Sequence, residues 1–194
     1  MNQKSEQQVQ FKRRHDSAIL PTKAHPSDSG FDLYASEDVI IEPGETKVVP
    51  TGVAVGLPKG TEAQVRPRSG ITSKTKLRVQ LGTIDNGYTG EIGVIVDNIA
   101  IRSGLYGSTF DMVDGSVTGI YDENMRQLKA ETYTYVIRKG DKIAQLVVQQ
   151  LPQLEVVEVP ELDDSQRGGN GFGSSGVNKE SEKECIDYIQ QSYE

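Results

Sequence analysis

The spacing of turn residues is the feature of this sequence that most restricts its fold. From residue 30 to residue 98, glycines and prolines recur at short intervals, and the runs between them are short, apolar and rich in valine and isoleucine. Short apolar runs bounded by turns are typical of the strands of a β-barrel or β-sandwich. We therefore predict an all-β domain with strands near residues 9–11, 31–35, 39–41, 47–49, 53–57, 63–65, 91–96, 132–137 and 142–148.

The composition argues against several classes of function. The 194 residues can bury one sizeable core, and the formal net charge of −7 argues against a nucleic-acid-binding surface or binding to an anionic membrane. Cys185 is the single cysteine and cannot form an internal disulfide, and no apolar run resembles a transmembrane helix or a signal peptide. We therefore expect a cytoplasmic protein. With His15 and His25 as the only histidines, we expect no closed zinc site.

The stretch from Gly82 to Val94 contains the strongest turn signal in the chain. Asn86-Gly87 lies between two β-prone runs and predicts a tight β-hairpin. Asp85 and Tyr88 flank this turn, although the turn does not require them. A carboxylate and an aromatic ring on a rigid hairpin can orient a water molecule and cover a flat or sugar-like ligand. The alternative is an ordinary surface hairpin.

Three further stretches carry groups suited to a phosphate-bearing ligand, and each also has a purely structural explanation. Residues 66–70 place two arginines beside a serine, as a phosphate site or as a solvated loop. Residues 27–35 run from a turn into a half-buried strand, with Asp32 on its polar face. Residues 166–176 are rich in Gly and Ser but lack the strand and helix of a dinucleotide-binding motif. They form either a flexible tail or an arm that becomes ordered on a polyphosphate.

The segment from 99 to 131 differs from its surroundings in having isolated aromatic residues and mixed charges. It is about seven times longer than a usual connection in a compact β domain, so we predict an inserted subdomain with its own small structure. Residues 122–130 have the pattern of one or two helical turns. The aromatic residues of the insert either form its own core or, where exposed, offer contacts to another protein. These candidates are Tyr106, Phe110 and Tyr121.

Five stretches, in this order and over nearly the whole chain, resemble the motifs of the trimeric dUTPase family (dUTP nucleotidohydrolases). They are Ser29–Ala35, Pro67–Gly70, Gly82–Gly90, Lys139–Gln145 and Arg167–Gly176. The segment after Asn98 further resembles the insertion in the dUTPases of some staphylococcal phages. The resemblance implies a jelly-roll-like β-barrel formed by residues 1–98 and 132–160. It also implies an inserted subdomain at 99–131, a flexible active-site arm at 161–176 and a charged tail at 177–194, with a short helix as one option for the tail.

The resemblance implies that the chain hydrolyses dUTP to dUMP and pyrophosphate, in the cytoplasm of a bacterial host if a phage encodes it. Water would attack the α-phosphorus with Asp85 as its base, Mg²⁺ on the triphosphate and Asp32 acting through a metal-bound water. Tyr88 would exclude a 2′-hydroxyl, and Phe172 would stack on the base. The implied substrate-binding residues are Arg68, Ser69, Gly70, Gln80, Gly82, Ile84, Tyr88, Gln145, Arg167, Phe172, Gly173, Ser174 and Ser175. Gln80 is the polar residue nearest to the place of an Asn that the family commonly has.

By the same resemblance, three subunits of a homotrimer share each active site, with the hairpin from a second chain and the arm from a third. A second role is also implied, namely binding of a transcriptional repressor at the insert and active-site region. Under an enzyme-only view, deletion of residues 100–131 should leave hydrolysis largely intact. The alternatives are a mainly regulatory, nucleotide-switched protein, or a dCTP deaminase of the same superfamily, which uses a Glu in a differently built hairpin.

Overall fold

The computed structural model of the protein describes residues 8–165 and 168–169. The chain divides between Gln153 and Leu154 into two units, and the second contains neither strand nor helix among its described residues. Within the described part of the chain, no helix has the length and hydropathy needed to cross a membrane.

The first unit is built from strands, with one short helix, α1 (Ser69–Lys74). The strands are β1 (Gln10–Arg13), β2 (Phe31–Tyr34), β3 (Val39–Ile41), β4 (Thr46–Gly56), β5 (Thr61–Arg66), β6 (Leu77–Val79), β7 (Gly82–Ile84), β8 (Glu91–Asn98), β9 (Tyr106–Gly107), β10 (Phe110–Met112), β11 (Val117–Thr118), β12 (Ala130–Glu131), β13 (Tyr135–Ile137) and β14 (Lys142–Gln150). They form three four-stranded sheets, in the orders β1-β4-β8-β6, β2-β14-β5-β7 and β11-β10-β13-β3, and a two-stranded sheet of β12 and β9.

All three larger sheets contribute side chains to one hydrophobic core. Along β5 and most of β8, buried residues alternate with more exposed ones, because successive side chains of a strand point to opposite faces of the sheet. Leu33, Val94, Ile137 and Leu146 are at most 1% exposed and belong to this core. The prediction of an all-β, jelly-roll-like domain is confirmed.

One long strand, β4, replaces the two short strands predicted at 47–49 and 53–57. Its pairing with β8 shifts register between Pro50 and Ala54, so the intervening residues form a bulge within one continuous strand. Pro50 has no N–H to donate, and Gly52 takes a positive φ of 68°, which favours glycine. The N–H of Gly52 donates to Oε1 of Glu91 at 2.8 Å, so a side chain completes the hydrogen bonding that the bulge interrupts.

The insert is joined to the core by a shared sheet. Its strand β10 pairs in parallel with β13 and antiparallel with β11, and β13 in turn pairs with β3. Asn98, which is 1% exposed, lies where the insert begins, and its side-chain amide donates to the carbonyls of Ile41 (3.1 Å) and Tyr133 (2.7 Å). Deleting residues 100–131 would therefore remove two of the four strands of a core sheet, β10 and β11, as well as a surface.

One expectation for the insert is wrong, and one question that the sequence left open is decided. Phe110 is only 4% exposed and packs with Ala130 and Val136, so it belongs to a small core of the insert and is not an exposed contact for a partner. Tyr106 (68% exposed) and Tyr121 (52%) are exposed, as predicted. The helical turns expected at 122–130 are absent from this described segment, because the Asp122 carboxylate accepts the N–H groups of residues 124 and 126 and closes a turn.

Candidate active site

A cleft opens between β7 and β8, where the sequence predicts a tight hairpin. β7 pairs with β5, whereas β8 pairs with β4 and β6, so the two strands that flank the turn belong to different sheets. The prediction of a paired hairpin is therefore wrong. β7 is the edge strand of its sheet, and β6 covers only the later half of β8. The unpaired edges of β7 and of the first half of β8 face a cleft of about 220 Å³. Its lining includes Gly82–Asp85, Tyr88 and Glu91–Gly93.

The local chemistry explains why the turn leaves the strands apart. A type I′ hairpin turn needs positive φ at both central residues, but here only Gly87 has it, at 96°. The N–H of Tyr88 donates to the carbonyl of Asp85 at 3.1 Å and closes the turn. The Asn86 side chain donates to the carbonyls of Pro58 (2.7 Å) and Leu57 (3.3 Å). Asn86 thus ties the turn to the loop between β4 and β5.

Tyr88 and Asp85 lie at the mouth of this cleft. The Tyr88 hydroxyl donates to the carbonyl of Glu91 at 3.0 Å, and its ring packs directly against Gly90. A Cβ atom at position 90 would overlap the Tyr88 ring, so only glycine permits this arrangement. Tyr88 is 49% exposed and Asp85 is also exposed. One face of the ring and the carboxylate are therefore accessible to a ligand in the cleft.

A second, larger cleft of about 650 Å³ lies beside β2, β14 and the start of α1. Asp32 on β2 and Gln145 on β14 are register partners, so both side chains project to this side of the sheet. The Asp32 carboxylate binds Nε of Arg68 at 3.2 Å and Nζ of Lys142 at 2.8 Å. The Gln145 amide donates to the carbonyl of Pro67 at 3.0 Å and thereby fixes the loop that carries Arg68.

The second cleft combines cations with carboxylates. Arg68, Lys74 and Lys142 contribute positive charge, and the neighbouring Asp32 carboxylate raises the pKa of Lys142, so this amine stays protonated. Asp114, from the insert, also lines the cleft, and hydrogen bonds from Ser116 hold the pKa of its carboxyl below the usual value. The cationic groups suit phosphate oxygens, and the carboxylate oxygens suit a hard metal ion.

Sequence reasoning did not single out several lining residues of the second cleft, among them Lys74, Asp114 and Lys142. Lys142 begins β14 and lies within the stretch 139–145 that resembles a motif. This position in a motif was the feature of the sequence from which it could have been found. Lys74 ends α1, a helix that the sequence analysis does not predict. Asp114 had no local signal, because its position depends on the pairing of β10 with β13, which brings the insert back over the core.

The predicted site residues fall into two groups. Gly82, Ile84, Asp85 and Tyr88 line the first cleft, and Asp32, Arg68, Ser69, Gly70 and Gln145 line the second. Gln80 lines neither cleft, because its side-chain amide donates to the carboxylate of Asp97 on an exposed surface. The predicted arm residues Arg167, Phe172, Gly173, Ser174 and Ser175 lie outside the described residues.

The two clefts are well separated within one chain. Asp32 pairs with Gln145, Gln145 with Arg66, and the next residue of β5, Val65, with Gly82. Three strand-to-strand steps thus separate Asp32 on β2 from β7. Along the direction of β7, Asp85 lies about four residues beyond the level of Asp32. Ordinary strand spacing and rise place Asp85 roughly 20 Å from Asp32 along the sheet. One copy of the chain therefore does not bring Asp85 to the Arg68 cluster.

Comparison with known proteins gives one consistent family. The family model for dUTPase matches residues 16–109 and 99–176. The deoxyuridine 5'-triphosphate nucleotidohydrolase of Clostridioides difficile is 39% identical over 170 residues, which cover 87% of this chain and 97% of that protein. The dUTPase of Staphylococcus bacteriophage 80alpha, solved with dUPNHPP, has a TM-score of 0.81 and 34% identity over 88% of this chain and 99% of that one.

The dUTPase from phage phi11 of S. aureus is similar in two solved structures, one showing a species-specific insert and one, of a mutant, a structural Mg(II) ion. Their TM-scores are 0.73 and 0.74, with 33% and 31% identity, and each covers 81% of this chain and 99% of the other.

Proposed function

This chain belongs to the dUTPase family, and from that membership we propose that it hydrolyses dUTP to dUMP and pyrophosphate. The observation that carries the proposal is the cleft between β7 and β8. Two of its walls are strand edges whose N–H and C=O groups are not paired with another strand. Its volume of about 220 Å³ lies below the usual 300–1,000 Å³ of a pocket for a drug-sized ligand. A cleft of this size suits one ring of a nucleotide, with the rest of the molecule outside.

Uracil would be recognised by the main chain of Gly82–Ile84. A free strand edge offers N–H donors and C=O acceptors in alternation, and uracil offers the complementary groups along one edge. The 4-amino group of cytosine would face a donor, and the 5-methyl group of thymine would require space that the opposing β8 wall occupies. Gln80 is not needed for this recognition.

Gly90 would set the discrimination between deoxyribose and ribose through Tyr88. We expect Gly90→Ala to push the Tyr88 ring from its present position, because the new Cβ overlaps it. Selectivity for dUTP over UTP should then fall about tenfold or more, which corresponds to the loss of a contact worth about 1–3 kcal/mol. The measurement is kcat/KM for both nucleotides. Gly56→Ala is a matched control, because a Cβ there meets only ordinary contacts, and unchanged selectivity in Gly90→Ala would contradict the role of Tyr88.

The triphosphate would lie on the second cleft. Arg68 and Lys142 would exchange their contacts with Asp32 for phosphate oxygens, and Ser69 and Gln145 would add neutral donors. Asp85, from the first cleft, would take the proton from the attacking water as its oxygen bonds to the α-phosphorus. Pyrophosphate then leaves, with its charge balanced by Arg68 and Lys142. The arm residues Arg167, Phe172, Gly173, Ser174 and Ser175 are proposed to complete this site.

Mg²⁺ is the proposed cofactor, and the donor set fits it. Among the described residues no group of three or more His, Cys, Asp or Glu side chains is arranged to hold a metal ion. Mg²⁺ is commonly bound by substrate phosphates and waters with one or two carboxylates, and Asp32, already contacted by two cations, would act on it through water. When bound, the ion supplies neutralisation of the triphosphate charge.

The separation of the clefts supports a homotrimer with shared sites. Because Asp85 and Arg68 are far apart in one chain, we propose that a site takes them from two different subunits. Val48 and Ile95 are cross-strand partners on β4 and β8 and are 63% and 41% exposed. Exposed apolar side chains that lie together indicate a surface that another chain covers.

A second role in binding a transcriptional repressor is proposed for the insert. Tyr106 and Tyr121 are exposed there, and Val113 and Asp114 of the same insert line the second cleft. The insert therefore touches both the solvent and the proposed nucleotide site, which gives a physical route by which bound dUTP would alter a protein-binding surface. No direct nucleic-acid or membrane partner is proposed.

Point substitutions test this role better than the deletion of 100–131, because the deletion removes β10. We expect Tyr106→Ala and Tyr121→Ala to weaken binding of a staphylococcal pathogenicity-island repressor about tenfold or more, with stability changed by less than about 0.5 kcal/mol. Phe110→Ala should instead lower stability by about 3–5 kcal/mol, because Phe110 is buried. The measurements are calorimetric binding, dUTP hydrolysis and thermal unfolding. Unchanged repressor binding in both tyrosine variants would rule out this surface.

A further inference from the structure

A small cavity with a buried carboxylate lies between the insert and β3, away from both clefts of the active site. It has a volume of about 230 Å³ and shares no lining residue with either cleft. Its walls come from β3, β9, β10, β12 and the turn before β13. The lining residues are Ile40, Glu42, Tyr106, Phe110, Leu128, Lys129, Ala130, Glu131 and Thr134.

Two buried polar groups line this cavity. Glu131 is 5% exposed, and its Oε1 accepts the N–H of Gly104 at 2.7 Å. No salt bridge to Glu131 exists among the described residues, although buried carboxylates are ordinarily paired. Thr134 is 2% exposed, and its hydroxyl has no hydrogen-bond partner in the part of the chain that the structure describes. An unpartnered buried hydroxyl is uncommon and calls for an explanation.

A tight turn over residues 131–134 brings Glu131 and Thr134 close together. Glu131 ends β12, opposite Tyr106 of β9, and the N–H of Thr134 donates to the Glu131 carbonyl at 3.0 Å. The turn is anchored to the core because the Asn98 amide donates to the carbonyl of Tyr133. Hydrogen bonds therefore hold Glu131 at the end of β12 and Thr134 in the turn, which gives the cavity a defined shape.

We propose that this cavity binds a primary alkylammonium group. An ammonium carries three donors, which match the Glu131 carboxylate and the Thr134 hydroxyl, and the charge compensates a carboxylate that lacks a cation. Ile40 and Leu128 offer apolar walls for a methylene stem, and the Tyr106 ring offers a surface that attracts cations. Of the two carboxylates that line the cavity, Glu42 is paired with Arg102 at 3.7 Å, so Glu131 is the one that a bound cation would compensate. The volume of about 230 Å³ suits one side chain or a small amine.

The direct test titrates the full-length protein with n-butylammonium chloride at constant ionic strength and follows binding by ligand-observed NMR. n-Butanol has the same stem without the charge and is the matched ligand control. We expect saturable millimolar binding of butylammonium and at least tenfold weaker binding of butanol. Equal binding of the two ligands, or no saturable binding of butylammonium, would overturn the assignment. N-acetyl-lysine amide, which mimics a lysine side chain of a partner protein, is a further ligand. Tighter binding of this compound than of butylammonium would indicate a protein side chain as the natural ligand, and weaker binding would indicate a free amine.

Two variants connect the binding to these residues. Glu131→Gln should weaken butylammonium binding about tenfold or more, because a charge-assisted hydrogen bond is lost. Thr134→Val should weaken binding and yet raise the midpoint of thermal unfolding by a few degrees, because it removes an unpartnered buried hydroxyl. dUTP hydrolysis, which uses neither residue, serves as the folding control. Unchanged binding in both variants would place the ligand elsewhere, and binding that emerges only in Lys129→Ala would identify the chain's own Lys129 as the occupant.

Discussion

Asp85→Asn is expected to lower the rate of dUTP hydrolysis by about 10²–10⁴-fold, the usual contribution of a positioned general base. Asparagine keeps the size of the side chain and still hydrogen-bonds a water molecule, but it does not accept the proton. Because Asp85 is exposed, the substitution should leave stability within about 0.5 kcal/mol of the wild type. The measurement is pyrophosphate release with Mg²⁺, alongside binding of a non-hydrolysable dUTP analogue, which should be nearly unchanged.

The same assay separates the competing functions. dUTP should be the only good substrate among dUTP, dCTP, dTTP and UTP, whereas ammonia release from dCTP would indicate a deaminase. Asp16→Asn is a matched control, because Asp16 is exposed and lines neither cleft. An Asp85→Asn protein that retains more than about a tenth of the wild-type rate would refute Asp85 as the base. A wild-type protein that binds dUTP without turning it over would favour the mainly regulatory alternative.

Mixing two inactive variants should restore activity if the active site is shared between subunits. Asp85→Asn removes the base in the first cleft, and Arg68→Gln removes a cation in the second, which should cost about 10²–10³-fold by itself. In trimers formed from equal amounts of the two chains, each site takes Asp85 from one chain and Arg68 from another. Each residue is then intact half of the time, so about a quarter of the sites should be fully active.

The control for this experiment is each variant expressed alone, and native mass spectrometry of differently tagged chains verifies that mixed trimers form. If one chain supplied both Asp85 and Arg68, no site in a mixed trimer would be intact and activity would stay at the level of the single variants. Recovery therefore distinguishes a shared site from a site within one chain. Arg68→Gln is preferred to Ala because Gln keeps a donor for the carbonyl of Lys142, which Arg68 contacts at 3.1 Å.

The local patterns of the sequence were sufficient for much of the fold and for the family. Alternating apolar residues and regular turns predict strands such as β5, because side-chain alternation is a property of the strand itself. The residues around Asp32, Arg68, Asp85 and Gln145 lie in stretches that resemble family motifs, and the structure places each of them in a cleft. Turns, side-chain alternation and short motifs each involve only a few consecutive residues, so they can be recognised without a structure.

The partner of each strand and the surroundings of each side chain required the tertiary structure. Asn86-Gly87 predicts a turn, but whether the flanking strands pair depends on competition from β5, β4 and β6, which lie far away in the chain. The burial of Phe110 likewise follows from the pairing of β10 with β13. The contact of Lys142 with Asp32 joins residues more than a hundred positions apart.

The sequence by itself therefore determined which chemical groups this protein has and on which local elements they lie. Only the tertiary structure decided that Asp85 and Arg68 face two separate clefts, and that the insert continues a core sheet. The physical reason is that hydrogen bonding and burial between distant segments depend on all of the competing partners at once, whereas turns and side-chain alternation depend on immediate neighbours.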